Sequence, residues 1–445
     1  MNTVLSLSKL EFNEQFSQAL EILEKSTQHV FITGRAGTGK STLLSYFRQQ
    51  TQQAYVVAAP TGVAALNVQG ETIHSLFKFW PNITVAEAKK QAYKAHKKRE
   101  LFQNLQILVI DEISMVRADL MDAMDIFLQT IRANDTPFGG VRLIAFGDLY
   151  QLPPVLNREE EIAFSLIYPS PYFFDSEVFQ RLLQMQPSPL TVIELQTIYR
   201  QSEQEFIEVL NGIRDKTLTS EQLNILNRRV NDEWAEHLDT AIVLTATNYQ
   251  AEHINTRQLQ ALDAEPWFYQ GSITGSFDKP SFPTDEVITL KPGARVMMVN
   301  NDADKRWVNG SMGRVVKFQP KPDNPAATLV IVKLDSGEEV EVAPYSWEIS
   351  QSIYNQETNT IEREVIGSFS QYPLRLAWAV TIHKSQGKTF TKVIVDLGRQ
   401  AFAAGQTYVA LSRCTSLGGL HLVRPLRDND IQLDSRILSF LKTLK

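Results

Sequence analysis

The stretch of this chain best suited to chemistry is Gly34-Arg35-Ala36-Gly37-Thr38-Gly39-Lys40-Ser41. Glycines let a backbone wrap an anion without Cβ clashes. Consecutive N–H groups at a helix start then converge on that anion. A lysine at the end of such a loop reaches β- and γ-phosphates, and the following hydroxyl, Ser41, can hold Mg²⁺. The apolar run Val30-Phe31-Ile32-Thr33 precedes the loop, and Thr42-Leu43-Leu44-Ser45-Tyr46-Phe47 continues as a helix. Strand, glycine-rich loop and helix in that order specify a triphosphate site. Its candidate residues are Gly34, Ala36, Gly37, Thr38, Gly39, Lys40, Ser41 and Thr42.

A second group supports the first. Asp111-Glu112 ends Leu105-Gln106-Ile107-Leu108-Val109-Ile110, the strongest apolar run. An acid at that place binds Mg²⁺ in phosphate-loop enzymes, and a neighbouring acid orients or deprotonates the attacking water. Asp111, with Ser41, is therefore expected at the metal and Glu112 at the water. Gln151, in Gly147-Asp148-Leu149-Tyr150-Gln151-Leu152-Pro153-Pro154, ends the next run and is placed to sense the γ-phosphate.

These groups need rigid elements to position them. Runs at Val30–Thr33, Tyr55–Ala59, Leu105–Ile110 and Val141–Phe146 each end in small or polar residues. Near-continuous apolar runs are strands of a parallel sheet covered on both faces, and its functional residues gather at the strand carboxyl ends. The pattern predicts an α/β domain over residues 1–185. A second α/β unit is expected over 186–289 and 374–445, from Ala241–Thr245, Lys392–Asp396 and Leu420–Val423. Between its halves, residues 290–373 hold short β-rich pieces separated by turn signals such as Asn309-Gly310, the pattern of a small inserted barrel.

Composition bounds the rest. A chain of 445 residues suggests about three domains, and 43% hydrophobic with 21% charged residues describes an ordinary globular protein. No apolar run is long enough to span a bilayer. The first residues lack the features of a secretory or transit peptide. A single cysteine, Cys414, rules out internal disulfides and cysteine-rich zinc sites, and a cytoplasmic setting fits. The net charge of −6 means that any nucleic-acid site is a local groove and not a general field.

The order of motifs resembles the superfamily 1B DNA helicases, specifically the petite-integration-frequency family, with RecD-type and phage Dda-type enzymes as cousins. The resemblance runs through the phosphate loop, Ala59-Pro60-Thr61-Gly62-Val63-Ala64-Ala65, Thr72-Ile73-His74-Ser75, Asp111-Glu112-Ile113-Ser114-Met115 and Gly147–Pro154. It continues through Tyr199-Arg200-Gln201, Ala379-Val380-Thr381-Ile382-His383-Lys384-Ser385-Gln386-Gly387 and Tyr408-Val409-Ala410-Leu411-Ser412-Arg413. Ser114–Leu120 resembles the family signature. The resemblance implies two RecA-like parallel-sheet lobes with ATP between them. It also implies a small wedge insertion at about 76–104 and an SH3-like β-barrel insertion in the second lobe, where 290–373 lies.

By the same resemblance, Arg200 and Arg413 reach the γ-phosphate and Gly387 lies at the nucleotide; the family often reads adenine with a glutamine upstream of the loop, and here Gln15, Gln18 or neither fills that role. The implied activity is ATP-driven, Mg²⁺-dependent translocation 5′ to 3′ on single-stranded DNA, with unwinding of duplex or structured DNA in repair, recombination or telomere maintenance. Further implied partners are fork junctions, G-quadruplex DNA and single-strand-binding proteins. A monomeric, prokaryotic, nucleoid-associated motor is expected. A RecD-like subunit of a recombination complex and a nucleic-acid-independent phosphate-loop enzyme are the alternatives. ATPase assays with and without DNA separate them.

The DNA track should use N–H groups, hydroxyls and cations on phosphates and flat rings on bases. Pro60, Thr61, Gly62, Thr72, His74 and Ser75 are its candidates in the first lobe. Thr247, Asn248, Thr381, His383, Lys384 and Ser385 are those in the second. Phe77, with Phe79 and Trp80, is a candidate for base stacking as well as for packing. Lys89, Lys90, Lys94, Lys97, Lys98 and Arg99 form a basic run in the presumed wedge, suited to a duplex or junction.

Overall fold

Strand β1 (His29–Gly34) is buried along almost its whole length because both faces of its sheet are covered. In the computed structural model it lies between β5 (Arg142–Phe146) and β6 (Leu190–Leu195), parallel to both. With β2 (Tyr55–Ala59), β3 (Glu71–Thr72) and β4 (Ile107–Ile110), these form a six-stranded parallel sheet, order β3-β2-β4-β5-β1-β6. The structure describes residues 13–156, 158–231, 233–321 and 324–444.

Helix α1 (Glu14–Lys25) starts where Asn13 Oδ1 accepts the Phe16 N–H at 2.8 Å. That side-chain cap satisfies a donor otherwise orphaned at the helix start. Helix α2 (Lys40–Gln50) carries the end of the phosphate loop. Phe16, Ala19 and Leu23 of α1 pack with Leu43, Leu44 and Phe47 of α2 against Val30, Ile32, Ile144 and Phe146. The apolar face of each helix thus covers the strand behind the loop.

The chain divides into two units. One runs up to Tyr199 and also takes Ile349–Ile366 and the residues from Ser435 on; the other holds Arg200–Glu348 and Gly367–Asp434. The first sheet therefore continues past residue 185, because β6 pairs with β1 from His29↔Leu190 to Gly34↔Leu195. Near the carboxyl end, helix Ser435–Thr443 places Phe440 on Phe174, ring centroids 4.3 Å apart and 7° from parallel. Within Ile349–Ile366, the Ser352 N–H donates to Glu71 Oε1 at 2.6 Å.

In the other unit, Ala379–Thr381, Ile242–Thr245, Val393–Asp396 and Leu420–Leu422 make a four-stranded parallel sheet in that spatial order. Asn255 pins its edge by exchanging two hydrogen bonds with the Ala379 backbone, 2.8 and 2.9 Å. A five-stranded antiparallel sheet is inserted, built from Arg295–Met298, Met312–Lys321, Asn324–Leu334, Glu339–Val342 and Leu374–Leu376. Its Val296, Val330 and Val332 join Val243, Ile394 and Trp378 in one core. The insert is thus packed onto its host sheet as well as tethered to it.

Candidate active site

The phosphate loop turns through left-handed backbone at Gly37 (φ 81°) and Gly39 (φ 86°), a conformation that favours glycine. A Cβ at Gly34 would lie 2.6 Å from the Leu195 carbonyl, so this glycine also permits close approach of β6. Thr38 Oγ1 donates to Arg35 O at 2.9 Å and braces the loop. Lys40 Nζ donates to Gly34 O at 2.7 Å and Arg35 O at 3.0 Å, inside the curl of the loop. Ser41 is exposed at the start of α2, and Thr42 is half-buried beside it.

Asp111 follows β4, and its N–H continues the ladder to Ala58 O at 2.9 Å. Burial first, then the adjacent Glu112 charge, pushes its carboxyl up to about 7, while Lys40 opposes the rise. A half-buried acid whose ionised form is disfavoured by its surroundings fits a divalent cation, whose charge would favour the carboxylate. Ser41 and Asp111 would hold that ion, which would neutralise charge on the phosphates. Glu112 sits at φ 52°, a left-handed conformation costly for a residue with a Cβ. Strain of this kind beside a reactive group marks a position fixed by its surroundings. Gln151 is buried, its Nε2 donating to Asp148 Oδ2 at 3.1 Å. Asp148 thereby fixes the amide orientation.

The two glutamines considered for adenine differ in setting. Gln15 bridges to the β6 end, donating to Glu194 O at 2.5 Å and accepting from the Gln196 N–H at 3.0 Å. Gln18 is exposed on α1 and donates to Glu14 Oε1 at 3.1 Å. Sequence reasoning passes over Tyr199. Its N–H donates to Gly37 O at 2.9 Å, its hydroxyl accepts from Asn13 Nδ2 at 3.1 Å, and its ring lies beside Gly39. The signal is present in Tyr199-Arg200-Gln201, where the charge of the arginine draws attention away from the ring next to it.

In the other unit, Arg200 and Arg413 converge on Ser412. Arg200 Nη1 donates to Ser412 O at 3.4 Å, and Arg413 Nη2 donates to Ser412 Oγ at 2.9 Å. Arg413 is 1% exposed, its Nε bonded to Val409 O at 3.0 Å and its Nη1 to Lys388 O at 3.4 Å. Gln201 Nε2 holds the same turn through Ser412 O and Cys414 O, 3.1 and 2.9 Å. Gly387, at φ 78°, has open space where a Cβ would stand.

The residues expected along DNA fall into two kinds. Thr61, Thr72 and Thr247 cap helices, their hydroxyls accepting N–H groups of Ala64, Ser75 and Gln250. Pro60, Gly62, His74 and Ser75 are half-buried around the first two of these caps, and Asn248 is exposed. Burial, with Arg117 nearby, holds His74 below the usual imidazole range, and burial does the same for His383. Lys384 is likewise lowered by burial.

Three expectations need correction. Phe77 is 1% exposed and packed against Phe79, Phe102 and Phe127, so no ring face is left for a base. Ser385 is fully buried, its hydroxyl donating to Ile382 O at 2.7 Å, which removes it as a phosphate contact. Lys98 leaves the basic run. It is buried with Nζ on Glu71 Oε2 at 3.3 Å and Leu76 O at 3.2 Å, while the other five cations stay exposed. Helical periodicity alone could not tell the inward lysine from the outward ones.

A parallel-sheet fold with a glycine loop after β1, an acid at the carboxyl end of β4 and a second parallel-sheet unit defines a phosphate-loop nucleoside triphosphatase of two RecA-like lobes. The model of the PIF1-like helicase family matches residues 10–224. An ATP-dependent DNA helicase Pif1 of Bdellovibrio bacteriovorus is 32% identical over 99% of this chain and 93% of its own length. The structure is similar to that of Bacteroides sp. Pif1 in complex with ADP-AlF4, TM-score 0.86, 35% identical and covering 97% of each chain. It is also similar to Bacteroides Pif1 bound to single-stranded DNA, TM-score 0.66, at the same identity and coverage. The chain belongs to the PIF1-like helicase family. Among the described residues, no helix is long and apolar enough to cross a membrane.

Proposed function

We propose that this chain is an ATP-dependent DNA helicase that moves 5′ to 3′ on single-stranded DNA and opens duplex ahead of it. The observation that carries the reading is Lys40 lodged inside the glycine loop, with the half-buried Asp111 and its neighbour Glu112 at the carboxyl end of β4 in the same parallel sheet. Membership of the helicase family supplies the polymer on which the hydrolysis acts.

In this reading Lys40 and the loop N–H groups hold the triphosphate, and Ser41 and Asp111 hold Mg²⁺. Glu112 takes the proton of the attacking water, and Gln151 contacts the γ-phosphate. Gln15 suits the adenine edge better than Gln18, because its amide is held in place at the end of β6. Arg200 and Arg413 stabilise charge on the transferring group, an effect worth roughly 10³–10⁵ in rate for such arginines. DNA is tracked by Pro60, Thr61, Gly62, Thr72, His74 and Ser75 on one unit. Thr247, Asn248, His383 and Lys384 track it on the other, while Thr381, buried with its hydroxyl accepting the Lys384 N–H at 3.3 Å, shapes that turn from within.

The exposed cations Lys89, Lys90, Lys94, Lys97 and Arg99 suit the duplex at a fork. Such a motor acts on the chromosome and so resides with the nucleoid. The test measures ATP turnover with and without single-stranded DNA, then unwinding of duplexes with a 5′ or a 3′ tail. Strong DNA stimulation and unwinding from the 5′ tail are expected. Turnover indifferent to DNA would overturn the reading. A G-quadruplex substrate in the same assay measures the reach to structured DNA.

A further inference from the structure

The segment between strand Val393–Asp396 and helix Gln406–Leu411 is pinned at nearly every turn. Arg424 Nε donates to Gly398 O at 2.6 Å while its other nitrogens grip Asp430 at 2.7 Å. Asp430 Oδ1 also accepts the Ala401 N–H at 3.1 Å, and Gln432 Nε2 donates to Ala401 O at 2.6 Å. The Phe402 N–H donates to Oε1 of the buried Gln406 at 2.9 Å. Yet the Phe402 side chain is 60% exposed. Burying a phenylalanine ring is favourable, and this rigid segment forgoes much of that gain.

Lone exposed apolar residues are ordinary, but this ring is not alone. His383 lies beside it, the two rings 12° from parallel with centroids 6.4 Å apart. His383 comes just after strand Ala379–Thr381, and Phe402 after strand Val393–Asp396; Ile242–Thr245 lies between them. All three strands are parallel, so the connections leaving their carboxyl ends gather at one edge of the sheet. Thr247 and Asn248 open a helix there, and exposed Tyr249 stacks on His253 with centroids 6.2 Å apart. Lys384 and exposed Arg399 add positive charge in the same connections. Polar donors and cations interleaved with open ring faces are what an unpaired strand requires, phosphates on the former and bases on the latter.

We propose that Phe402, with His383 beside it, is a base-stacking platform for single-stranded nucleic acid. The inference rests on the helicase reading for the identity of the strand. Because the Phe402 backbone is already fixed, little ordering cost accompanies binding.

The test compares the affinity of the full chain for a fluorescent thymidine oligonucleotide and for an abasic oligomer of equal length. Phe402→Ala should weaken thymidine binding about 5- to 100-fold. Abasic binding and the slope of log Kd against log salt should stay unchanged, because no phosphate contact is lost. Phe402→Trp should restore the loss, and a thermal midpoint equal to the native one shows that the exposed substitution leaves the fold intact. Equal loss on both oligomers, or no loss on thymidine, overturns the platform. A native chain that binds neither oligomer and shows no DNA-stimulated turnover overturns instead the helicase reading.

Discussion

Tyr199 is joined to the phosphate loop by its own backbone, its N–H donating to Gly37 O at 2.9 Å. Asn13 Nδ2 holds the phenol at 3.1 Å and Thr197 Oγ1 at 2.9 Å, so the ring orientation is set. The side chain is half open to solvent beside Gly39. A flat, oriented face beside the glycine loop would suit a nucleobase. Tyr199→Ala is expected to raise the KM for ATP about 3- to 10-fold with kcat little changed, the size of one aromatic stack. Tyr199→Phe should keep most of the native KM. Steady-state turnover at saturating single-stranded DNA reads both.

Lys40 Nζ donates to Gly34 O and Arg35 O of its own loop, and removing it deletes the charge that would stabilise the transferring phosphate. Lys40→Ala is expected to cut turnover by at least about 10²–10³-fold, with a near-native melting temperature. Calorimetry alongside the ATPase assay distinguishes loss of chemistry from loss of structure.

Asp122, buried in helix Ala118–Arg132, accepts the N–H groups of Glu177 and Val178, both at 2.9 Å. It thus serves the start of helix Glu177–Gln184 from another element. Asp122→Ala leaves two donors without that acceptor and is expected to cost about 2–4 kcal/mol. Asp122→Asn, which keeps one acceptor oxygen, should cost less. Urea melts of the two variants measure the difference.

His29 gives the fold a pH dependence of known sign. Its Nδ1 accepts the Leu143 N–H at 2.9 Å, which requires that nitrogen unprotonated. Burial, then the Arg142 charge, lowers its pKa from 6.5 to about 4. Below pH 6.5 the unfolded chain therefore binds a proton that the native chain refuses. Stability is full above 6.5 and falls as pH drops from 6.5 towards 4, by up to about 3 kcal/mol. Urea melts at pH 7.5 and 5 should show this loss in the native chain and a smaller one in His29→Gln.

The motifs legible in sequence were those whose residues lie together in the chain. Gly34–Ser41, Asp111-Glu112 and the apolar runs of β1, β2, β4 and β5 each carry their meaning within a short window. What was hidden depends on distant partners. Lys98 is buried because Glu71 faces it, and Phe77 because Phe102 and Phe127 do. Phe402 is ordinary in sequence and becomes distinctive only when the anchored backbone beneath it is seen. The extent of the first unit was hidden for the same reason, since the pairing of β6 and the packing of Phe440 both cross long stretches of chain.

That discontinuity bears on biosynthesis. The unit that carries the phosphate loop recruits Ser352 onto Glu71 and Phe440 onto Phe174. When Tyr199 leaves the ribosome, these two supports are still unmade. A nascent chain must therefore shelter an unfinished core until the helix bearing Phe440 is translated, and loss of that helix would leave Phe174 wet in an otherwise assembled enzyme.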